Sequence, residues 1–274
     1  MFTTGRTVLV TGSTDGIGKQ TAVTLAGQGG RVLIHGRNPQ KVDRTISEIK
    51  KRYPDADLAG YVAEFSSLDS VRKLVDEINQ KEASLHVLIN NAGIYSPDFG
   101  LSQDGFELTF AVNQLAPFLL TLSLLEKIKA SQAARIINVT SIAHGVHDLD
   151  MNKIHDENSF RAWRAYKISK FANILFTYTL AERLQDSQVT VNCLHPGTVN
   201  TKVLRSAFPE MQGISLEEGA RSSIYLASTE DLDGVTGKYF EESKPAESAP
   251  QTYDKEIQQT MWEQCERWVG YQEN

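Results

Sequence analysis

The chain has almost no cysteine. Cys193 and Cys265 are the only two in 274 residues. Two cannot build a disulfide framework, and Cys193 sits inside the apolar run "VTVNCL", so both read as free thiols of a reducing compartment. Positive charge is not in excess: 28 Lys and Arg against 34 Asp and Glu leave a net charge of −6, which argues against nucleic acid as a ligand. No apolar run reaches membrane-spanning length, because "AVNQLAPFLLTLSLL" is broken by Asn113, Gln114 and Pro117. The opening "VLV" is too short for a signal peptide, and glycines follow at once. The expectation is a soluble, cytoplasmic chain without a membrane anchor. Internal repeats and low-complexity linkers are missing as well, so residues 1–274 read as one domain.

What is present alternates. Short β-branched runs at 6–11, 31–35, 58–63, 86–90, 134–140 and 189–195 are apolar nearly throughout, and a seventh falls near 237–240. Helical periodicity fits 16–29, 39–52, 68–82, 103–130, 162–186 and 216–229. A polar surface connector at 241–256 then leads to a last helix near 256–269. Strands apolar on both sides and separated by helices predict a doubly wound α/β domain, with a parallel sheet of about seven strands. Such a sheet binds ligands at the carboxyl ends of its strands. Helices 103–130 and 162–186 carry more apolar residues than one buried face requires, which predicts a homodimer bundle built on them.

The first strand runs into "TGSTDGIGKQ", placing Gly12, Gly16 and Gly18 in the turn before a helix. Glycines let the backbone approach a pyrophosphate, and the helix N-terminus offers free N–H groups and a positive dipole end. A tight strand–helix turn would use the same glycines, but its place at the first junction of a parallel sheet favours a nucleotide. The second strand ends in "LIHGRNP", with no carboxylate for a ribose 2′-hydroxyl and with Arg37 directly after Gly36. A base in that place suits a 2′-phosphate, so NADP(H) is expected over NAD(H), with Lys19 as a helper.

Tyr166 and Lys170 lie four residues apart in "RAYKISKFANILF", hence on one helix face. A tyrosine titrates near pH ~10, and a neighbouring cation stabilises its phenolate and brings it within reach of acid–base work. For an isolated pair, a buried tyrosine beside a snorkelling lysine is the blander alternative. Ser141, ending the fifth strand in "NVTSIA", falls at the same carboxyl edge. Asn113 lies within a long helix, and Pro117 four residues on has no N–H. The Asn113 carbonyl therefore lacks its usual helical donor, which predicts a kink with that carbonyl free for a water.

With these elements assembled, the sequence resembles the short-chain dehydrogenase/reductase family over nearly its whole length. The matching elements are "TGSTDGIG" (11–18), "NNAG" (90–93), Asn113, Ser141, "YKISK" (166–170) and "PGTVNT" (196–201), in family order. The resemblance implies the Rossmann fold and hydride transfer between a nicotinamide and a carbonyl or alcohol carbon. It implies Tyr166 as the acid/base, Lys170 as the group that lowers its pKa and binds the nicotinamide ribose, Ser141 as the holder of the substrate oxygen, and Asn113 as the support of a proton-relay water. It further implies cofactor contacts from Gly12, Ser13, Thr14, Asp15, Gly16, Ile17 and Gly18, from Asn91, Ala92 and Gly93 at the adenosine ribose, and from Pro196, Gly197, Val199 and Thr201 around the nicotinamide. Where the family often has an aspartate near the adenine, this chain reads "EFSS", giving that contact to Glu64 and Phe65. The stretches "SIAH" and "NCLHPGTVNTKVLR" look most like the retinol-dehydrogenase-like branch, whose members typically handle apolar alcohols and aldehydes with NADP(H).

On the substrate side, the loop around Tyr95, Pro97 and Phe99 and a lid near 198–215 carrying Leu204, Phe208 and Met211 are expected to frame an apolar pocket. His144, His147 and His155 lack a diagnostic metal spacing, so no metal is expected. Ser141 lacks the glycine-flanked elbow of a hydrolase nucleophile. A regulatory protein that senses NADP(H) without turnover is the alternative, but such a protein can lose the tyrosine or the lysine, and this chain retains Ser141, Tyr166 and Lys170.

Overall fold

The β-branched runs become strands of one sheet in the computed structural model, which describes residues 3–271. The first two and last three positions of the expected domain lie outside the described residues. Six strands are β1 (Thr7–Val10), β2 (Arg31–Gly36), β3 (Leu58–Val62), β4 (Val87–Asn90), β5 (Arg135–Val139) and β6 (Thr190–His195). With β7 (Tyr239–Glu241) and β8 (Lys244–Ala246) they form an eight-stranded sheet ordered β3-β2-β1-β4-β5-β6-β7-β8. The first seven are parallel; β8 is antiparallel to β7. The order reverses between β1 and β4, and the crevice for a ligand opens there. Successive side chains serve opposite faces: Leu9 and Leu88 join one core cluster, while Val8, Val10, Val87 and Ile89 join the other.

The sheet has eight strands rather than about seven. The eighth lies in the stretch expected to be a connector. Glu242 and Ser243 both take positive φ, 48° and 63°, and turn the chain back as a two-residue hairpin. That turn usually announces itself with Asn-Gly, so Glu-Ser left no signal. Pro245 is tolerated because β8 is an edge strand, with one ladder side unpaired.

Around the sheet run α1 (Gly16–Gly27), α2 (Pro39–Arg52), α3 (Leu68–Lys81), α4 (Leu108–Phe110), α5 (Ala116–Ser123), α6 (Leu125–Lys129), α7 (Ala162–Arg183), α8 (Lys202–Ala207), α9 (Leu216–Ser228) and α10 (Lys255–Val269). The helix expected at 103–130 starts only at Leu108, where the buried Glu107 carboxylate accepts from the N–H groups of Thr109 and Phe110 and fixes the N-terminus. Between α4 and α5 the residues Ala111–Leu115 form a π-helical turn, the local distortion expected around Asn113 and Pro117.

The apolar excess on α5 and α7, from which a homodimer was expected, is covered within the chain. Residues Ile168–Ala181 of α7 are buried without a break. Trp262 of α10 packs against Phe118 of α5 and Phe176 of α7, at 5.1 and 5.8 Å between ring centroids. The chain's own C-terminal helix thus covers part of the apolar excess from which the homodimer was expected. Among the described residues, no helix is long and apolar enough to cross a membrane.

Candidate active site

The carboxyl ends of the strands border a cavity of about 1160 Å³. The glycine-rich turn forms one wall. Gly12 takes φ of 66°, and a Cβ there would lie 2.9 Å from the Ala92 Cα, so the turn and the "NNAG" segment press together without side chains between them. A Cβ on Gly18 would fall 2.2 Å from the Asn91 Nδ2, which donates to the Thr11 carbonyl at 2.8 Å. Asp15 caps α1 through the Gly16 N–H, and its carboxylate also binds the Lys202 ammonium at 2.5 Å. A phosphate cradle of this build, backbone N–H groups at a helix N-terminus with no Cβ in the way, fits a dinucleotide.

Of the cofactor-binding residues expected, Gly12, Thr14, Asp15, Gly16, Ile17, Gly18, Arg37, Glu64, Phe65, Asn91, Ala92, Gly93, Tyr166, Lys170, Pro196, Gly197, Val199 and Thr201 all border the cavity. Ser13 does not. Its hydroxyl accepts from the His35 N–H at 2.9 Å, which turns it into the sheet. Arg37 has a side chain 75% exposed, with Glu64 no nearer than 3.9 Å. Lys19 is not its helper, since it is held by Glu48 on α2. The second base at that end is Lys41, in the first turn of α2, which follows the strand terminus directly. Sequence reasoning missed it because a lysine in an amphipathic helix reads as a solvated face. His35 was missed for another reason: its Nδ1 accepts from the Gly12 N–H at 3.1 Å while the ring stacks on Phe65, a contact made only by folding.

Ser141, Tyr166 and Lys170 meet at the middle of the cavity. Burial pushes the Tyr166 phenol up to about 12, with Ser141 pulling it back, and pushes the Lys170 amine down to about 8. The expected lowering of the Tyr166 pKa by Lys170 is therefore not what the protein by itself produces. The ammonium is anchored elsewhere: its Nζ donates to the Val139 carbonyl at 3.0 Å and stands over the tyrosine ring, 5.8 Å from its centre. Desolvation then penalises both ions.

Asn113 stands behind the cavity rather than in it. Its Oδ1 accepts from the Ile94 N–H at 2.8 Å, and its Nδ2 donates to the Ile94 carbonyl and to the Ser169 hydroxyl, each at 3.0 Å. Its carbonyl is not free, as had been expected, because the Asn173 Nδ2 donates to it at 2.8 Å.

Near the expected substrate end Trp163 stacks on Tyr166 at 5.7 Å, and Phe208, from the stretch expected to form a lid, meets Trp163 edge-on at 5.0 Å. Leu204 and Met211 border the cavity too. In the Tyr95 loop, Tyr95 packs edge-on against Tyr166 at 6.0 Å, whereas Phe99 packs on Phe160. The histidines are each taken up by protein partners: His144 bridges the Ser141 carbonyl and the Ala249 N–H, His147 meets Gln251, and His155 accepts from the Glu107 N–H.

A dinucleotide cradle joined to a Ser–Tyr–Lys cluster at the switch point of a parallel sheet defines an oxidoreductase of alcohols and carbonyls. The chain belongs to the short-chain dehydrogenase family, whose model matches residues 6–212. It is 38% identical over 281 residues to human retinol dehydrogenase 13, covering 97% of this chain and 85% of that protein. It is also 38% identical over 278 residues to human polyprenol dehydrogenase, covering 95% and 84%. Among solved structures, a short chain dehydrogenase from Escherichia coli CFT073 complexed with NADPH is 25% identical, with a TM-score of 0.74 over 89% of this chain and 98% of that one. A protein from Mycobacterium Paratuberculosis superposes with a TM-score of 0.82 at 27% identity, covering 98% and 95%. These relatives support the retinol-dehydrogenase-like branch.

Proposed function

We propose that the chain reduces or forms the carbonyl group of an apolar aldehyde or ketone, retinal-like in character, using NADP(H) in preference to NAD(H). The observation that carries this reading is the ring of exposed apolar side chains at the mouth of the site. Ile142 is 61% exposed, Met211 47%, Trp163 40% and Phe208 37%, all bordering one cavity. Exposed apolar surface gathered at one opening marks a binding site. Two of the relatives are named for the oxidation of retinol and of polyprenol, both consistent with an apolar substrate. Preference for the 2′-phosphorylated cofactor is supported by exposed Arg37, by Lys41 and by the NADPH bound in the Escherichia coli relative. The two thiols, buried and unpaired, support a reducing cytoplasmic setting.

When bound, the nicotinamide supplies or accepts the hydride. Tyr166 holds the proton on its hydroxyl for the substrate oxygen. Ser141, at the strand end beside it, offers a hydroxyl that donates to the same oxygen. Lys170 presents an N–H to the cavity while the Val139 carbonyl anchors it from behind. The test is NADPH oxidation across a panel of long apolar and small polar carbonyls, with NADH in parallel. Long apolar carbonyls turned over with NADPH support the reading; a preference for small polar ketones overturns the substrate assignment. Tyr166→Phe should lose on the order of 10²–10⁴ in rate, and wild-type turnover by that variant sinks the mechanism.

A further inference from the structure

The π-helical turn at Ala111–Leu115 and α7 are joined by the buried carboxamides of Asn113, which reaches Ser169, and of Asn173. The Asn173 Nδ2 donates to the Asn113 carbonyl and to the Gln114 Oε1, both at 2.8 Å. Its Oδ1 accepts from the Lys170 Nζ at 3.4 Å. Asn173 and Lys170 are 4% and 5% exposed. Pro117 supplies no N–H to the Asn113 carbonyl, so an ordinary helix would leave that oxygen to water. Here a side chain reaches it.

We infer that Asn173 is a positioning residue of the active site, its carboxamide standing between the Asn113 carbonyl and the Lys170 ammonium where a relay water is otherwise expected. The inference deepens the oxidoreductase reading, on which its kinetic arm rests.

An ammonium has three N–H donors. The Val139 carbonyl and the Asn173 Oδ1 hold two of them. The third is left for the cavity, which Lys170 borders. Asn173 thus stops the ammonium from rotating and aims its remaining donor at the ligand. A carboxamide holds its hydrogens at neutral pH, so it accepts from Lys170 and donates to Asn113 without passing a proton between them. The link is positional. The groups around the Lys170 ammonium carry no charge: the Tyr166 phenol on α7, the Val139 carbonyl on β5, and Gly93 across the cavity wall. Its titration therefore reports on Asn173 directly.

The test uses lysine labelled at its terminal carbon and followed by NMR against pH, which needs neither substrate nor turnover. Asn173→Leu removes the acceptor and should lower the Lys170 midpoint by about half a unit to one unit; Asn173→Asp places a carboxylate there and should raise it. The same midpoint in both variants overturns the inference. Because Asn173→Leu disturbs a buried cluster, thermal melts accompany each variant, and Asn173→Asp carries the test if the leucine variant does not fold. In the kinetic arm, Asn173→Leu should lower kcat about tenfold or more with the substrate KM nearly unchanged. A variant as fast as wild type means that water replaces the amide without loss and overturns the positioning role. Wild-type protein that turns over no carbonyl at all indicts the functional reading, while the NMR midpoints still decide Asn173.

Discussion

Replacing Lys170 by methionine should make the protein more stable at neutral pH while destroying its activity. Burial lowers the Lys170 amine from its ordinary 10.5 to about 8. Each pH unit of such a gap is worth about 1.4 kcal/mol, so holding the ammonium in the folded state costs about 3 kcal/mol. The unfolded chain keeps its proton up to the higher value and the folded chain only to the lower. Between them the unfolded state binds more protons, and wild-type stability rises with pH. Below pH 8 both states are charged and the full cost is present. Methionine carries none of it, but it leaves the Val139 carbonyl and the Asn173 Oδ1 without their donor, together about 2 kcal/mol at any pH. Lys170→Met is therefore expected to be about 1 kcal/mol more stable than wild type near pH ~7 and about 1 kcal/mol less stable by pH ~10. Urea unfolding followed by tryptophan fluorescence at a series of pH values measures the difference. A stability difference that stays constant across that range refutes the argument, because packing and hydrogen-bond losses do not titrate there.

The remaining predictions concern the cofactor cradle and the C-terminal helix. Gly18→Ala drives a Cβ to 2.2 Å from the Asn91 Nδ2 and 2.6 Å from the Gly12 carbonyl oxygen, so NADPH affinity should fall at least about tenfold in a fluorescence titration. Unchanged affinity would mean that the turn gives way freely. Arg37→Ala should weaken NADPH about 10- to 100-fold and leave NADH almost untouched; equal losses for the two would remove Arg37 from 2′-phosphate recognition. Trp262→Ala should cost about 3–5 kcal/mol and expose the apolar faces of α5 and α7. Light scattering should then show more self-association than in the wild type, and a variant no more associated than wild type would refute the covering role given to α10.

Two kinds of information built this molecule. The alternation of apolar strands and amphipathic helices is local, so seven strands, the glycine-rich turn and the Tyr166/Lys170 spacing were legible residue by residue. Their meeting at one sheet edge followed from the rule that a doubly wound sheet binds at its carboxyl ends. Contacts between residues far apart in the chain left no such trace. Nothing near Asn113 announces that Asn173, sixty positions on, will fill its carbonyl, nor that His35 will hold the Gly12 N–H. The Glu242–Ser243 hairpin escaped because its positive φ values are imposed by pairing on β7 rather than preferred by its residues. The apolar excess on α5 and α7 does not by itself call for a second copy, because an apolar face states only that it must be covered, and a covering helix starts some seventy residues beyond α7. The pKa values reversed for the same reason: spacing places a lysine near a tyrosine, but only burial decides which charge survives there. Sequence thus determined what each segment is and which chemistry it carries. Tertiary structure decided what each polar group touches, because desolvation and hydrogen bonding are properties of surroundings assembled from the whole chain.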